Sequence, residues 1–142
     1  QGTTAKLPVK EKIIIKKSRW LNYLVVECNG ALYIRKRGAG DIWENLYEFN
    51  LIETNEPLQL ESMDPVKEIL KKNIFELEHI SPFYKQLLTH QTIQGQFIRV
   101  KIKEPVAIKG YKMVGKSTLQ KLPFPKFISN YLKDKNVSLN LF

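Results

Sequence analysis

The chain has a single cysteine, Cys28, among its 142 residues. One cysteine excludes an internal disulfide and any multi-cysteine zinc site within this sequence. Cys28 follows Val25-Val26-Glu27, and this context predicts a buried thiol in the core. Histidine is nearly as scarce, since His79 and His90 are the only two. A metal centre would therefore need carboxylates gathered from distant parts of the chain.

Long apolar runs are also missing. None approaches the roughly 20 residues that a membrane-spanning helix requires. The N-terminal residues Gln1-Gly2-Thr3-Thr4-Ala5-Lys6 contain no apolar stretch of the kind found in signal peptides. They also lack an initiator methionine, so we expect the chain to be a fragment or a processed product, without a membrane partner.

Acidic residues are few outside one central block. Residues 1–40 contain nine basic and two acidic residues. Residues 41–78 contain three basic and ten acidic residues, and residues 79–142 contain eleven basic and two acidic residues. A compact domain built from these blocks is expected to have a basic side and an acidic side. A basic side favours nucleic acid as a partner, with anionic lipid as the alternative.

The hydrophobic pattern predicts an α+β single domain, in which a mixed central β-sheet is flanked by two main helices. Asn29-Gly30 lies between two apolar runs, which is a strong signal for a hairpin turn. Residues 50–61 are predicted to be acidic and irregular. Strands are predicted at residues 12–17, 23–28, 31–37, 46–49, 82–90, 92–103 and 111–114.

Two helices are predicted from capping and periodicity. Asp64 is expected to cap the first helix, with Pro65 in its first turn. Its apolar stripe would be Val66, Ile69, Leu70, Ile74 and Leu77, with His79 on the surface at the helix end. The second helix is predicted at residues 124–132.

The segment from Leu87 to Ile102 carries the strongest functional signal. Ile98, Val100 and Ile102 alternate with Arg99, Lys101 and Lys103, the pattern of a strand with one buried and one cationic face. A polar turn preceding such a ribbon suits a surface that reads a base and holds phosphates. The alternatives are an ordinary edge strand with solvated lysines, and a turn in which Thr89 only satisfies the backbone. The candidate DNA-binding residues are Leu88, Thr89, His90, Gln91, Arg99, Lys101 and Lys103.

Two further motifs match known patterns only in outline. Gly110 to Ser117 fits the phosphate-binding loop G-x4-G-K-[ST], but Pro123 stops the long helix that this chemistry needs. Lys67-Glu68-Ile69-Leu70-Lys71-Lys72 has the outline of the Nudix helix R-E-U-x-E-E. The last two glutamates of that motif bind Mg²⁺, whereas the ammonium groups of Lys71 and Lys72 would repel it.

Several segments, taken in order, resemble the C-terminal domain of MutY-type adenine DNA glycosylases, which is Nudix-like. Leu7–Lys10 resembles the end of the family's interdomain linker. Residues 41–49, which read DIWENLYEF, resemble its (D/G)-x-W-x-G-L-(W/Y)-E-F strand. Leu88-Thr89-His90 lies where the family has an aromatic-Ser-His turn. Tyr111-Lys112 and then residues 119–128, which contain LPFP, resemble its closing segment. The departures are Leu88 for an aromatic residue, Thr89 for serine, Asn45 for glycine and Asn50 for proline.

The resemblance implies a module that recognises 8-oxoguanine opposite adenine, while an upstream catalytic domain excises the adenine. It implies a linker at residues 1–10, a lesion-recognition domain at 11–133 and a tail at 134–142. The expected partners are double-stranded DNA containing 8-oxoguanine:A and the upstream domain of the same polypeptide. This chain is expected to be a monomer without cofactor, and a 4Fe–4S cluster is expected in the missing domain. The chain alone is expected to be non-catalytic, and its location cytoplasmic and nucleoid-associated.

Two other classes of function remain open. A Nudix pyrophosphohydrolase could in principle gather Mg²⁺ with Glu48, Glu53, Glu56, Glu61 and Glu68, although Lys71 and Lys72 argue against it. A protein-interaction domain could use the acidic block 41–78 to meet a repair clamp or the upstream domain.

Overall fold

The computed structural model describes residues 16–134. The predicted linker, most of the first predicted strand and nearly all of the predicted tail lie outside the described residues. The strands are β1 (Lys17–Cys28), β2 (Ala31–Lys36), β3 (Tyr47–Glu48), β4 (Asn50–Thr54), β5 (Glu76–Ile80), β6 (Tyr84–Leu87), β7 (Gln91–Gly95), β8 (Phe97–Ile102) and β9 (Lys112–Gly115). The helices are α1 (Asp64–Ile69), α2 (Lys116–Leu119) and α3 (Lys126–Lys133).

β1 is the central strand of the sheet. Along one edge it pairs antiparallel with β4 and, at its end, with β2. Along the other edge it pairs parallel first with β7 and then with β8. β6 and β5 extend this second side by antiparallel pairing with β7 and β8 respectively. The predicted mixed sheet with helices packed on it is therefore confirmed.

The sheet is buried on both faces, so β1 is apolar almost throughout its second half. Successive side chains of a strand point to opposite faces. Leu21, Tyr23 and Val25 face the core beneath α3, and Leu24 and Val26 face the core beneath α1. The helix residues that close the two cores are Phe127, Ile128 and Tyr131 on α3 and Val66 on α1.

The predicted hairpin between β1 and β2 is confirmed. Asn29 and Gly30 have φ of 53° and 83°, as a type I′ turn requires. Cys28, the last residue of β1, is 1% exposed, so the predicted core thiol is also confirmed. Burial raises the pKa of this thiol.

The first predicted helix is much shorter than its apolar stripe suggested. α1 ends at Ile69, Ile74 is 93% exposed, and Leu77 and His79 lie in strand β5 rather than at a helix end. Lys71 and Lys72 have φ of 55° and 64°, a left-handed conformation that terminates the helix. Strand pairing of β5 with β8 overrides the helical periodicity, which a single sequence does not reveal.

The N-terminal cap of α1 was also predicted wrongly. Met63, with φ of 58°, occupies the cap position and its side chain makes no capping hydrogen bond. The Ser62 hydroxyl instead accepts one from the N–H of Asp64 over 3.3 Å. Asp64 is already within the helix, so its carboxylate lies near the positive end of the helix dipole instead of capping the free amides.

Several strand boundaries differ from the predictions. β1 runs without a break from Lys17 to Cys28, whereas separate strands were predicted at residues 12–17 and 23–28. Residues 50–54, predicted irregular, form β4, which pairs with β1. The predicted strand 82–90 is limited to β6, and the predicted strand 92–103 is divided into β7 and β8 at Gln96. At the end of β7, Gly95 lies so close to β1 that an added Cβ would be 1.9 Å from the carbonyl oxygen of Leu21.

The second main helix was predicted two residues early, since α3 begins at Lys126. α2 has only four residues and ends before Pro123, as expected from the rejected phosphate-binding loop. Among residues 16–134, no helix is long and apolar enough to cross a bilayer.

Candidate nucleic-acid interface and arginine–carboxylate network

The Thr89–His90 turn joins β6 to β7, and both side chains are exposed. The predicted turn and the exposure of its side chains are confirmed, although the predicted strand 82–90 would have included both residues and the turn was expected on a separate basic side. The backbone N–H of Leu88 donates to the carbonyl of Gln91 over 2.8 Å, which closes the turn. The N–H of Lys17 donates to the carbonyl of His90 over 3.2 Å, which joins the turn to β1.

The turn and the predicted cationic residues lie at opposite ends of one edge. Gln91 is opposite Lys17 of β1, and Arg99 is opposite Val25. Eight residues along an extended strand correspond to about 26 Å. The structure therefore does not bring Thr89 and His90 together with Arg99 and Lys101 into one compact site.

The cationic ribbon is also interrupted by acids. Lys101 lies between Glu27 of β1 and Glu76 of β5, its partners in the two adjacent strands. Arg99 is partly buried rather than fully outward, whereas Lys101 and Lys103 are exposed. Cross-strand neighbours of opposite charge attract each other, which reduces the positive field of the ribbon.

A network of arginines and carboxylates lies beside the turn. Arg19, which is 9% exposed, donates two hydrogen bonds to Glu53 at 2.8 and 2.9 Å and two to Asp41 at 2.7 and 3.0 Å. Its Nη1 also donates to Oε1 of Gln91 over 3.2 Å. Bidentate pairs of this kind fix orientation as well as charge. Gln91, one of the predicted DNA-binding residues, is thereby tied to the network.

The network continues into the core through Glu48, whose side chain is fully buried. Glu48 accepts hydrogen bonds from the Tyr23 hydroxyl at 2.8 Å, from Arg37 at 2.7 Å and from Arg35 at 2.8 Å. Arg37 also donates to Asp41 over 2.9 Å, which joins the two halves. Burying a charged carboxylate costs free energy of desolvation, and the hydrogen bonds from these three donors compensate for that cost.

These contacts shift the acid–base behaviour of the network. Hydrogen bonds from Arg19 lower the pKa of Asp41 to about 2 and lower the pKa of Glu53. The same bonds, first to Glu53 and then to Asp41, raise the pKa of Arg19. Burial, followed by the charge of Glu48, raises the pKa of Tyr23 well above its usual value. All three groups on the Arg19 side therefore remain ionised at neutral pH.

A cleft of about 380 Å³ opens on the network. Arg35 and Arg37 line it together with Asp41, Glu48 and Glu53. Since each carboxylate already receives arginine donors, the cleft is balanced in charge. The arginines come from the basic block 1–40 and the carboxylates from the acidic block 41–78, so these two blocks neutralise each other here instead of forming separate sides.

Sequence reasoning missed this network, although one signal was present. Arg19 occupies the same face of β1 as Leu21 and Tyr23, which are both fully buried. A charged residue in register with buried apolar residues requires a buried partner. The missing information was the position of β4, because the sequence did not predict a strand that carries Glu53.

The motif segments that carry the family resemblance pack against one another. Trp43 stacks on Phe127 at 5.9 Å between ring centroids, and Phe49 stacks on Phe124 at 5.7 Å. Asn45 has φ of 69°, a conformation that glycine adopts freely and asparagine tolerates. The replacement of glycine at this position is thus compatible with the backbone.

The helix that matches the Nudix motif does not offer a magnesium site. α1 ends before Lys71 and Lys72, the two positions of the metal-binding glutamates. Of the five glutamates considered as possible ligands, Glu48 and Glu53 are bound by arginines. Within residues 16–134, no three His, Cys, Asp or Glu residues are grouped so as to hold a metal ion.

A family model described as NUDIX domain matches residues 22–134, which is most of the chain. The chain therefore belongs to the NUDIX domain family. Comparison with curated proteins gives no match.

Three solved structures illustrate the shared fold. The MutT protein from Methanosarcina mazei Go1 has a TM-score of 0.58 and 11% identity, over 83% of this chain and 92% of that chain. The E. coli ORF135 protein has a TM-score of 0.52 and 12% identity, and the match covers 80% of this chain and 84% of that chain. The C-terminal domain of mouse MUTYH, solved in complex with human PCNA, has a TM-score of 0.50 and 13% identity. The match covers 79% of this chain and 83% of that chain. At these identities the likeness concerns the fold alone.

Proposed function

We propose that this chain is the lesion-recognition module of an adenine DNA glycosylase and that it reads 8-oxoguanine opposite adenine. The observation that carries the proposal is the exposed Thr89–His90 turn, fixed at its base by β1 and the Arg19 network. A reader must present polar groups to solvent on a rigid support, and this turn has both properties.

The chemistry of the lesion matches the groups in the turn. Oxidation of guanine creates a carbonyl acceptor at C8 and converts N7 from an acceptor to an N–H donor. The Thr89 hydroxyl can accept from N7–H, and a hydroxyl or backbone N–H can donate to O8. His90 would contact the lesion or an adjacent phosphate, and Leu88, partly buried, would support the turn from below. Arg99, Lys101 and Lys103 would contact the DNA backbone farther along the edge.

The family resemblance supports this role over hydrolysis. Lys71 and Lys72 replace the metal-binding glutamates of the Nudix motif, and the ordered motif set resembles the MutY-type C-terminal domain. One structural neighbour is the C-terminal domain of a MutY homologue. The parent protein would then carry the glycosylase activity, with its 4Fe–4S cluster, in an upstream domain, and double-stranded DNA would be the partner of this chain.

The test is a fluorescence-anisotropy titration of the chain with 8-oxoguanine:A and G:A duplexes at two salt concentrations. Nonspecific binding should have a Kd on the order of 10⁻⁴–10⁻⁶ M and should weaken as salt rises. Thr89→Ser should keep the preference for the lesion, and Thr89→Val should lose it. The loss should be about 1–3 kcal/mol, or roughly 5- to 150-fold.

Thr118→Val is the matched control, because Thr118 is an exposed threonine on α2. It should bind both duplexes as the unmodified chain does. Equal lesion preference in Thr89→Val and the unmodified chain would show that the hydroxyl is not the reader. Binding that does not depend on salt, or no binding at millimolar protein, would contradict the proposal as a whole.

A second candidate function is a contact with another repair protein, such as a sliding clamp. Large apolar side chains are exposed along β5 and the turns around it, among them Ile74, Leu77 and Phe83. Large exposed apolar patches mark protein–protein contacts, membrane contacts or ligand grooves. The neighbour solved in complex with PCNA is consistent with this candidate. A pull-down with a purified clamp, using Ile74→Lys and Phe83→Lys variants, distinguishes it from DNA binding.

A further inference from the structure

Arg99 differs from the other arginines of the described chain in having no counter-charge. Arg19, Arg35 and Arg37 each contact a carboxylate at 2.7–2.8 Å. Within residues 16–134, the buried Nη1 of Arg99 has no hydrogen-bond partner. A buried guanidinium N–H without a hydrogen-bond partner is costly, even though the rest of the Arg99 side chain is partly exposed.

Two more buried polar atoms without a partner lie next to this guanidinium. His79 is opposite Arg99 in the β5–β8 pair, and its Nδ1 lacks a hydrogen-bond partner among the described residues. The hydroxyl of Tyr131, a fully buried residue of α3, lacks one as well. The ring of Tyr131 stacks on Phe97 at 4.0 Å, and Phe97 precedes Arg99 by two residues on the same face of β8.

The three groups therefore come together beneath the end of α3. Burial raises the pKa of Tyr131 to about 12, so its hydroxyl remains a proton donor at neutral pH. The positive charge of Arg99 lowers the pKa of this hydroxyl, as expected for a guanidinium close to it. Arg99 and His79 are only partly buried, so their edge of the cluster lies at the surface beside β5, whereas the Tyr131 hydroxyl lies beneath it.

We propose that Arg99, His79 and the Tyr131 hydroxyl form an anion-binding site for a tetrahedral phosphate group. Two or three hydrogen-bond donors and one fixed positive charge suit the negatively charged acceptor oxygens of a phosphate group. Among the described residues, the Nη1 of Arg99 has no carboxylate or other hydrogen-bond partner. The phosphate comes either from a nucleic-acid backbone or from a small phosphate-bearing ligand. This site does not depend on the Thr89–His90 turn, from which Arg99 is about 26 Å distant along the strand.

The first arm of the test measures the melting temperature of the chain in increasing inorganic phosphate, against chloride at matched ionic strength. A phosphate concentration ten times the Kd should raise the melting temperature by about 3–6 °C. Arg99→Met should lose this rise and, without phosphate, should melt at or above the temperature of the unmodified chain. Lys109→Met removes one exposed positive charge from the loop before β9 and should keep the rise.

Tyr131→Phe provides a second, milder variant, because it keeps the stacked ring and removes only the hydroxyl. It should reduce the affinity for phosphate, whereas a hydroxyl that is merely buried would leave the phosphate response unchanged. This variant also decides the question if Arg99→Met does not fold.

The second arm identifies the source of the phosphate by titrating duplex DNA at several salt concentrations. If the DNA backbone occupies the site, Arg99→Met should lower the slope of log K against log salt by about 1. A phosphate response in the first arm with an unchanged slope would assign the site to a small phosphate ligand. No phosphate-specific rise together with an unchanged slope would overturn the proposal, whatever the outcome for lesion preference.

Discussion

Arg19 holds together three segments that are distant in sequence. Its five hydrogen bonds reach Asp41 in the loop after β2, Glu53 on β4 and Gln91 at the start of β7. Isolated surface ion pairs contribute little to stability. This one is different, because the guanidinium is buried and both carboxylates bind it in bidentate geometry.

The lowered pKa of Asp41 predicts how stability depends on pH. Its folded-state pKa is about 2, compared with 3.8 for the free group. A carboxylate whose pKa is depressed on folding stabilises the protein above its unfolded pKa, and that contribution is lost as pH falls through the folded pKa. Asp41→Asn should therefore be less stable than the unmodified chain at pH 7, and the difference should shrink between about pH 4 and pH 2.

Urea denaturation at several pH values measures this difference. Glu44→Gln is the control, since Glu44 is an exposed acid in the same loop. It should give a small difference that does not follow this pH course. A constant difference between Asp41→Asn and the unmodified chain from pH 7 to pH 2 would show that the ion pair is not the source of the effect.

At the level of elements, the junction of β7 and β8 depends on Gly95. An added Cβ would lie 1.9 Å from the carbonyl oxygen and 2.7 Å from the carbonyl carbon of Leu21, and both atoms belong to the backbone of β1. Gly95→Ala must therefore separate two central strands, and we expect a loss of at least about 1–3 kcal/mol.

Gly115→Ala is the matched control, because no atom lies within 4 Å of its added Cβ. It should change the unfolding free energy by less than about 0.5 kcal/mol. Both variants can be measured by urea denaturation. A Gly95→Ala chain as stable as Gly115→Ala would mean that β7 and β1 are farther apart in solution than in this structure.

The elements that the sequence predicted correctly are those whose local sequence pattern agrees with their pairing in the folded sheet. Asn29-Gly30 specifies its turn through backbone conformation alone. Ile98, Val100 and Ile102 specify a strand by alternation. The helical stripe through Ile74 and Leu77 was predicted wrongly, because the left-handed residues 71 and 72 end the helix and residues 76–80 pair with β8 as a strand.

The candidate site was predictable only in its local part. The Thr89–His90 turn follows from the two strands that flank it. The Arg19 network depends on β1, β4 and β7 being neighbours, which is a property of topology that spacing along the chain does not encode. The separation of Arg99 from the turn likewise follows from the parallel pairing of β7 and β8 with one strand.

At the scale of the whole molecule, the net charge of +9 does not produce one uniform basic face. Arginines of the first block are neutralised by carboxylates of the second, and Lys101 lies between two glutamates. These pairings reduce the positive charge at the places on the described surface where they occur. This would suit the weak, salt-sensitive DNA contact that we propose, with specificity left to particular groups.

The chain belongs to the NUDIX domain family, and the alternative of a hydrolytic role leads to a direct test. We expect no phosphate release from an oxidised dGTP analogue in the presence of Mg²⁺, and no rise in melting temperature on adding Mg²⁺ alone. The physical reason is that Lys71 and Lys72 occupy the metal-binding positions of the motif and repel the cation.

The double variant Lys71→Glu, Lys72→Glu makes this prediction more stringent. It restores the carboxylates of the motif, yet both residues have left-handed backbone and lie beyond the end of α1. The restored side chains would therefore not extend from a continuous helix as the motif requires, and we expect turnover to remain absent. Turnover by the unmodified chain would contradict the recognition role proposed for it. Turnover by the double variant alone would show instead that the helix extends once the lysines are removed, so that charge and not backbone conformation abolishes metal binding.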